Sequence, residues 1–466
     1  MKYKIIIAAL LLASCSEWLD VEPRSQVKDE ELFSSEAGFK EALAGVYALL
    51  ATDALYVKEL RFGMLGVLAR EWDYQNTSYA DETTYNYEGA NPTNRIEGIW
   101  TGLYNAIANA NVILEVIDEK KHLFSGANYP VIKGEALALR AFIHFDLLRC
   151  FGATPGEGPD RPAIPYVARY TSLQSPQLTV AGVIEKVLAD LDSATFYLQA
   201  DPIRTGEKIT ETVDNGYLIN RQLHLNYYAA RGLQARVLLY NKDYARAAES
   251  AREVINSGRF PWTTQQRLIN GADYTGAAEQ LWGIDVNNLS AISEAYFQTT
   301  GGNNVFSITS ASLMSYHENI TDDYRYLYLY NVGEGANSNS RYIAKYNASS
   351  SDSLYYSNKM AMIKIAEMHF ILAEALQRDR QDFLPALNAA REARGVAPLT
   401  AVADFDAALA SEFRKEFIGE GQLFFHYKRK QMENIPNTDL NPVELKAYVF
   451  PLPKSEREAA NRQDNR

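Results

Sequence analysis

Apolar residues recur at spacings of three and four along most of this chain, with polar positions between them, and that rhythm predicts helices. In "SEAGFKEALAGVYALL" (35–50), Phe39, Leu43, Val46, Tyr47 and Leu50 fall on one face of an amphipathic helix. "IEGIWTGLYNAIANANVILEVIDE" (96–119) turns Ile99, Leu103, Ile107, Val112 and Ile113 toward a core. "KGEALALRAFIHFDLLRCFG" (133–152) is apolar nearly all round and stops at a glycine, which places it centrally. Further helices are predicted over 179–198, 222–240, 243–257, 359–378, 383–394 and 404–418.

Two of these segments repeat each other. "KDYARAAESARE" (242–253) and "QDFLPALNAARE" (381–392) align without a gap, with Asp243-Tyr244 on Asp382-Phe383 and Ala247, Ala248 and Ala251 on Ala386, Leu387 and Ala390. Each follows an apolar helix and a short polar turn, the pattern of the second helix of a tetratricopeptide-type hairpin, where alanines let two helices approach. Alanine is common in any helix, so chance similarity is the competing explanation. The two hairpins lie 139 residues apart, so the repeats are not one unbroken solenoid. The expected fold is mainly α: a scaffold of tetratricopeptide-type helical hairpins with long loop excursions and a few short β-hairpins.

The excursions are where the pattern breaks. Residues 72–98, "WDYQNTSYADETTYNYEGANPTNRIEG", hold five aromatics and one large aliphatic residue, Ile96, among amides and carboxylates. A loop beyond about 15 residues is usually functional or disordered, and this aromatic content argues against disorder. The second excursion runs from about 260 to 358. In it "EQLWGIDVN" (279–287) reads as a buried strand. "DDYRYLYLY" (322–330) and "RYIAKYN" (341–347) read as a hairpin around the turn "NVGEGANSNS", with Tyr326, Tyr328 and Tyr330 on one face.

The N-terminus carries a separate signal. Lys2 and Lys4 precede nine apolar residues, Ile5 to Ala13, too few to span a bilayer, and the run ends in Leu-Ala-Ser-Cys at Cys15. That order resembles the bacterial lipobox, which implies a signal peptide over 1–14, a mature chain 15–466 and a diacylglycerol on the Cys15 thiol. An ordinary signal peptide with an incidental cysteine is the alternative. The mature chain would be held to a membrane by its lipid alone and would carry a formal charge of −14 in place of the −12 of the full chain. Such an acidic surface disfavours nucleic acid and anionic headgroups as partners. Cys150, in the apolar "LLRCFG", would be the only remaining thiol, so no intrachain disulfide is expected.

No catalytic or cofactor-binding pattern stands out. The six histidines (His122, His144, His224, His317, His369 and His426) are scattered without metal-ligand spacing, and no nucleophile elbow, phosphate loop or dinucleotide fingerprint occurs. His144 and His369 lie in strongly apolar helices and read as core residues. Nothing in these residues asks for an enzyme, a metal or a cofactor, and none is expected.

Seven segments in order then resemble one family. They are "SEWLDVEPRSQV" after the lipobox, "FKEALAGVY", "IWTGLYNAIANANVILEVID", "GEALALRAFIHFDLLRCFGATP" (134–155), "IAEMHFILAEAL" (365–376), "EFRKEFIGEGQLFFHYKRK" (412–430) and "YVFPLPKSEREAAN" (448–461). Together they are similar to the SusD/RagB-type nutrient-binding outer-membrane lipoproteins of Bacteroidetes along almost the whole chain. The chain departs from that family at Gln422, where an arginine is usual, and at Phe425-His426, where Trp-Asp is usual. It is also short for the family, which suggests trimmed loops. The resemblance implies a surface lipoprotein that captures a glycan, or a peptide, and serves a TonB-dependent (SusC-like) outer-membrane transporter. The competing class is a tetratricopeptide-type scaffold that binds only proteins, but such a scaffold has no need of polar-aromatic excursions.

The candidate site lies where residues 72–98 meet the loop 294–304. Sugar rings lie on aromatic faces while their hydroxyls seek amides and carboxylates, and "WDYQN" (72–76) and "EAYFQTTGGNN" (294–304) offer both. Trp72 and Tyr296 are the expected stacking platforms, with Tyr74 and Phe297 beside them and Asn76, Asn303 and Asn304 as hydrogen-bonding partners. The same aromatics would serve equally to pack loops onto the scaffold. Trp100, Trp282 and Arg325 are expected to be structural.

Overall fold

The structure is a computed structural model and describes residues 31–271, 273–298, 305–347 and 358–466. Ten helices build the scaffold: α1 (Glu36–Leu50), α2 (Ala90–Val116), α3 (Asn128–Phe151), α4 (Val180–Tyr197), α5 (Tyr227–Tyr240), α6 (Tyr244–Asn256), α7 (Ile365–Arg378), α8 (Leu384–Ala393), α9 (Phe405–Phe417) and α10 (Gln422–Lys430). Several start on a side chain that takes up a free amide. Ser35 accepts from Gly38, Thr179 from Gly182, Asn226 from Ala229, Asp243 from Arg246 and Asp404 from Ala407. Each such cap contributes about 1 kcal/mol. Ahead of α10, Gly421 sits at φ +74°, and a Cβ there would lie 2.3 Å from the Leu60 carbonyl oxygen, so only glycine fits.

The first eight helices pack in chain order, each on the next, from α1 through α8. The α6–α7 contact joins the two repeated hairpins directly. The solenoid interrupted in sequence is therefore continuous in space, and the second excursion loops out of it. Ala247, Ala248 and Ala251 of α6 and Ala386, Leu387 and Ala390 of α8 are all buried, as their alignment requires. Helix α3 lies at the centre, buried continuously from Gly134 to Phe151. Its polar residues are accordingly paired: Arg140 makes two 2.7 Å bonds to Asp190, and Glu135 accepts from Tyr47 at 2.8 Å and faces Arg221 at 2.5 Å. Where the chain departs from the family pattern, Gln422 accepts from Arg149 at 3.0 Å, and that guanidinium lies 3.8 Å over the Phe425 ring.

Short strands hold the excursions to the scaffold. β1 (Pro162–Pro165) pairs with β2 (Gln177–Thr179), and β3 (Gln280–Asp285) pairs antiparallel with β7 (Lys359–Lys364), Gln280 opposite Lys364 and Asp285 opposite Lys359. A three-stranded sheet has the order β4 (Ile308–Thr309), β6 (Ser340–Ile343), β5 (Tyr330–Val332). Beneath these strands runs a buried ion network. Lys364 lies 3.0 Å from Glu416 and 2.9 Å from Glu420; Arg394 lies 2.8 Å from Glu416 and 2.6 Å from Glu279; Arg325 lies 2.7 Å from Asp323 and 3.0 Å from Glu412. Burial opposes the charge on Glu416, but Arg394, Lys364 and Arg325 outweigh it and hold its carboxyl well below the ordinary range.

Four expected elements change. The excursion expected over 72–98 ends at Gly89, because α2 already begins at Ala90. The helix expected over 359–378 begins only at Ile365, because 359–364 is drawn into the sheet as the buried partner of β3. The one expected over 222–240 begins at Tyr227, where Asn226 supplies its cap. The hairpin is real but shorter. Residues 324–328 form a helical turn started by Asp323, which accepts from the Arg325 amide at 2.8 Å, so Tyr326, Tyr328 and Tyr330 do not line one strand face. Trp100, Trp282 and Arg325 are buried, and Trp282 packs edge-on to Phe142 at 4.8 Å. Among the described residues no helix is long and apolar enough to cross a membrane.

Candidate ligand-binding groove

The first excursion is ordered by its aromatics. Trp72, Tyr79, Tyr85 and Tyr87 are all at most 5% exposed. The Tyr79 hydroxyl donates to Glu59 at 3.0 Å under a guanidinium, Arg95, 3.8 Å from its ring, and the Tyr85 hydroxyl donates to the Leu68 carbonyl at 3.3 Å. Tyr87 donates to the Ala447 carbonyl. Four of the five aromatics are thus used to pin the loop down, and the fifth, Tyr74, is left 58% exposed.

Tyr74 is held by the second excursion. The amides of Asp73 and Tyr74 donate to the Ser307 carbonyl at 3.0 and 3.1 Å, and the Ser307 amide returns a 3.0 Å bond to the Tyr74 carbonyl. The Asp73 carboxylate accepts from the Thr309 amide at 2.7 Å and from its hydroxyl at 2.8 Å. β4 in turn pairs with β6, Thr309 opposite Ser340. These bonds create an open groove of about 410 Å³. Tyr74, Gln75 and Thr77 form one wall, and Ala336, Asn337, Asn339 and Ser340 form the other, with Val305, Ser307 and Tyr342 between them. An exposed ring beside exposed amides and hydroxyls can stack on a flat apolar face and hydrogen-bond its polar rim. The lining holds no nucleophile paired with a base.

The two excursions meet, as expected, but they distribute the site residues differently. Trp72 is a correction: its Nε1 donates to the Phe62 carbonyl at 2.8 Å and its ring packs on Phe297 at 5.7 Å and Phe306 at 5.6 Å, leaving no face for a ligand. Phe297 is likewise core, fully buried and edge-on to Phe62 at 4.8 Å. Tyr296 is half-buried against Phe62 at 5.3 Å, reaches toward Asp53 at 3.5 Å, and does not line the groove. Asn76 starts the turn 77–79 by accepting from the Ser78 amide at 2.8 Å. Asn303, Asn304 and Cys15 lie outside the described residues. Gln75, Asn337, Asn339 and Tyr342 line the groove without having been expected there. The signal for the asparagines was the Asn-, Gly- and Ser-rich turn, read only as turn chemistry.

A larger cleft of about 690 Å³ lies between residues 311–316, α9 and residues 432–437. It offers no exposed ring: Tyr316 and Tyr427 are buried, and Arg414 stacks on the first at 4.4 Å and donates to the second at 2.7 Å. Among the described residues no group of three His, Cys, Asp or Glu side chains is placed to hold a metal ion.

Comparison with known proteins connects this architecture to others. Residues 17–208 match a family model described as starch-binding associating with outer membrane, and residues 193–463 match the model of the SusD family. The SusD-like protein P38 of Formosa agariphila is 27% identical over 271 residues, 57% of this chain and 47% of the relative. The chain spans about half the length of the curated relatives it matches. A SusD superfamily protein from Bacteroides vulgatus superposes with a TM-score of 0.73 at 20% identity, covering 92% of this chain and 98% of that one. Surface glycan-binding protein A from Bacteroides uniformis superposes at 0.70 and 17% identity, covering 92% and 99%. These structural likenesses show the fold.

Proposed function

Because the chain belongs to the SusD family, we propose that it is an outer-membrane lipoprotein, anchored through Cys15 at the cell surface, that captures a glycan beside Tyr74 and delivers it to a TonB-dependent transporter. The observation that carries the reading is the single exposed ring of an otherwise buried aromatic loop, its backbone bonded to Ser307 beside a groove of amides and hydroxyls. A sugar presents C–H faces to such a ring and hydroxyls to Gln75, Asn337 and Asn339. The starch-binding description of one matched family and the glycan-binding name of one structural neighbour support the same ligand class. Delivery needs an interface of about 1,200–2,000 Å² or more with the transporter, which gentle detergent extraction should preserve.

The test is a binding screen of oligosaccharides and peptides on chain truncated after Cys15, repeated with Tyr74→Ala. Loss of a stacked ring costs on the order of 2 kcal/mol, so affinity for the bound sugar should fall roughly thirtyfold with the melting temperature unchanged. Equal affinity in both proteins removes the groove as the capture site, and a hit among peptides alone reassigns the ligand. Recovery of the native protein without any outer-membrane barrel in several detergents contradicts the delivery role.

A further inference from the structure

We infer that the groove selects uncharged oligosaccharides and turns away acidic and sulfated glycans. This rests on the groove being the glycan site. Charged residues are 22% of the chain, yet among the described residues no charged side chain lines the groove. Asp73 and Arg341, which adjoin lining residues in the sequence, are already engaged in hydrogen bonds. Asp73 accepts from the Thr309 amide and hydroxyl at 2.7 and 2.8 Å, and Arg341 Nη1 donates to the carbonyls of Ser338 and Ser340, each at 2.9 Å. Glu334, exposed in the same turn, adds a negative charge.

A carboxylate or sulfate gives up strong hydration on binding, and proteins compensate it with arginine, lysine or convergent amides in charge-assisted bonds. Here the polar atoms offered are the neutral side chains of Gln75, Thr77, Asn337, Asn339 and Ser340, which suit hydroxyls. The formal charge of −12 on the whole chain also repels a polyanion on approach. Selection therefore comes from a missing cation at the groove together with a long-range field of the same sign as the rejected ligand.

The experiment titrates the truncated chain with neutral hexasaccharides of glucose, xylose, mannose and galactose, an oligouronate of equal length, and a sulfated oligosaccharide. Each is measured at about 50 and about 500 mM NaCl, a range that screens any ion pairing. At least one neutral sugar should bind in a Tyr74-dependent way, with Kd changing less than about twofold across that salt range. The acidic ligands should bind at least roughly tenfold more weakly at the lower salt. Asn339→Lys, which supplies the missing cation at an exposed position, should tighten the oligouronate roughly two- to fivefold at low salt. An acidic or sulfated glycan bound as tightly as the best neutral one, and lost in Tyr74→Ala, overturns the inference while leaving the groove a glycan site. If no sugar in the panel binds in a Tyr74-dependent way, the inference and the groove assignment fall together.

Discussion

Replacing Trp72 separates a packing residue from a binding residue. Its indole is 5% exposed, wedged between Phe297 and Phe306, with Nε1 bonded to the Phe62 carbonyl at 2.8 Å. Gly66 packs so closely that a Cβ there would meet Nε1 at 2.8 Å. Little room exists for the cavity to collapse, so Trp72→Ala should cost about 3–5 kcal/mol. The entropy of unfolding near 60 °C is about 2.1 cal/mol/K per residue, or about 1 kcal/mol per degree for 466 residues, so the melting temperature should fall by about 3–5 °C. Trp72→Phe keeps the ring contacts and loses the Nε1 bond, leaving the Phe62 carbonyl unpaired at a cost of about 1–3 kcal/mol. Thermal melts of both variants, with sugar titrations well below the transition, form the assay. Trp72→Phe should bind as wild type does. Wild-type melting in Trp72→Ala together with lost sugar binding would refute the reasoning and restore Trp72 as a stacking platform.

Two further perturbations act on the scaffold. Glu416→Gln leaves Arg394, Lys364 and Arg325 facing one another without their shared carboxylate, and should destabilise by about 3–5 kcal/mol; a melt equal to wild type would show that the network is not holding the excursion. Acidification tests the buried histidines. Burial pushes His144 and His426 down to about 3 and His369 to about 4, so from pH 6.5 toward 4 the unfolded chain binds protons that the folded one refuses, and stability is lost as pH falls. For His144 the geometry agrees: Nδ1 donates to the Arg140 carbonyl at 2.8 Å while Nε2 accepts from the Val167 amide at 2.9 Å, an acceptor that protonation abolishes. His317 is lowered by burial as well and adds to them, while Glu71, raised by burial to about 7, opposes them between pH 7 and 4.5, and Glu82, Asp273 and Asp285, raised in direction by burial, oppose them nearer the ordinary carboxylate range. The melting temperature should fall between pH 6.5 and 5, and a flat or rising profile contradicts the neutral assignment.

The scaffold was legible in the sequence because its signals are local. Helix α4 occupies Val180–Tyr197 where the stripe of apolar residues predicts 179–198, and the matched alanines of α6 and α8 are buried as the alignment requires. What the sequence concealed depends on distant partners. "KMAMIK" (359–364) sits at the head of a helical pattern, and only its pairing with β3 makes it a strand, with Lys364 neutralised by Glu416 and Glu420. The aromatic loop was recognisable as special, but which ring faces water was not. Trp72 is buried by Phe297 and Phe306, more than two hundred residues later, while Tyr74 is held out by a bridge to Ser307. The opposite wall of the groove came from a turn whose asparagines carry no periodic signal at all.

The central claim is that Tyr74 is the sugar platform. A crystal structure of the truncated chain with the tightest neutral oligosaccharide from the screen tests it most directly. The account predicts a sugar ring lying on the Tyr74 face, with hydroxyls on Gln75, Asn337 or Asn339 and the Trp72 indole still buried. A sugar bound instead in the cleft beside Arg414 and Asn437, with the Tyr74 ring bare, would contradict it.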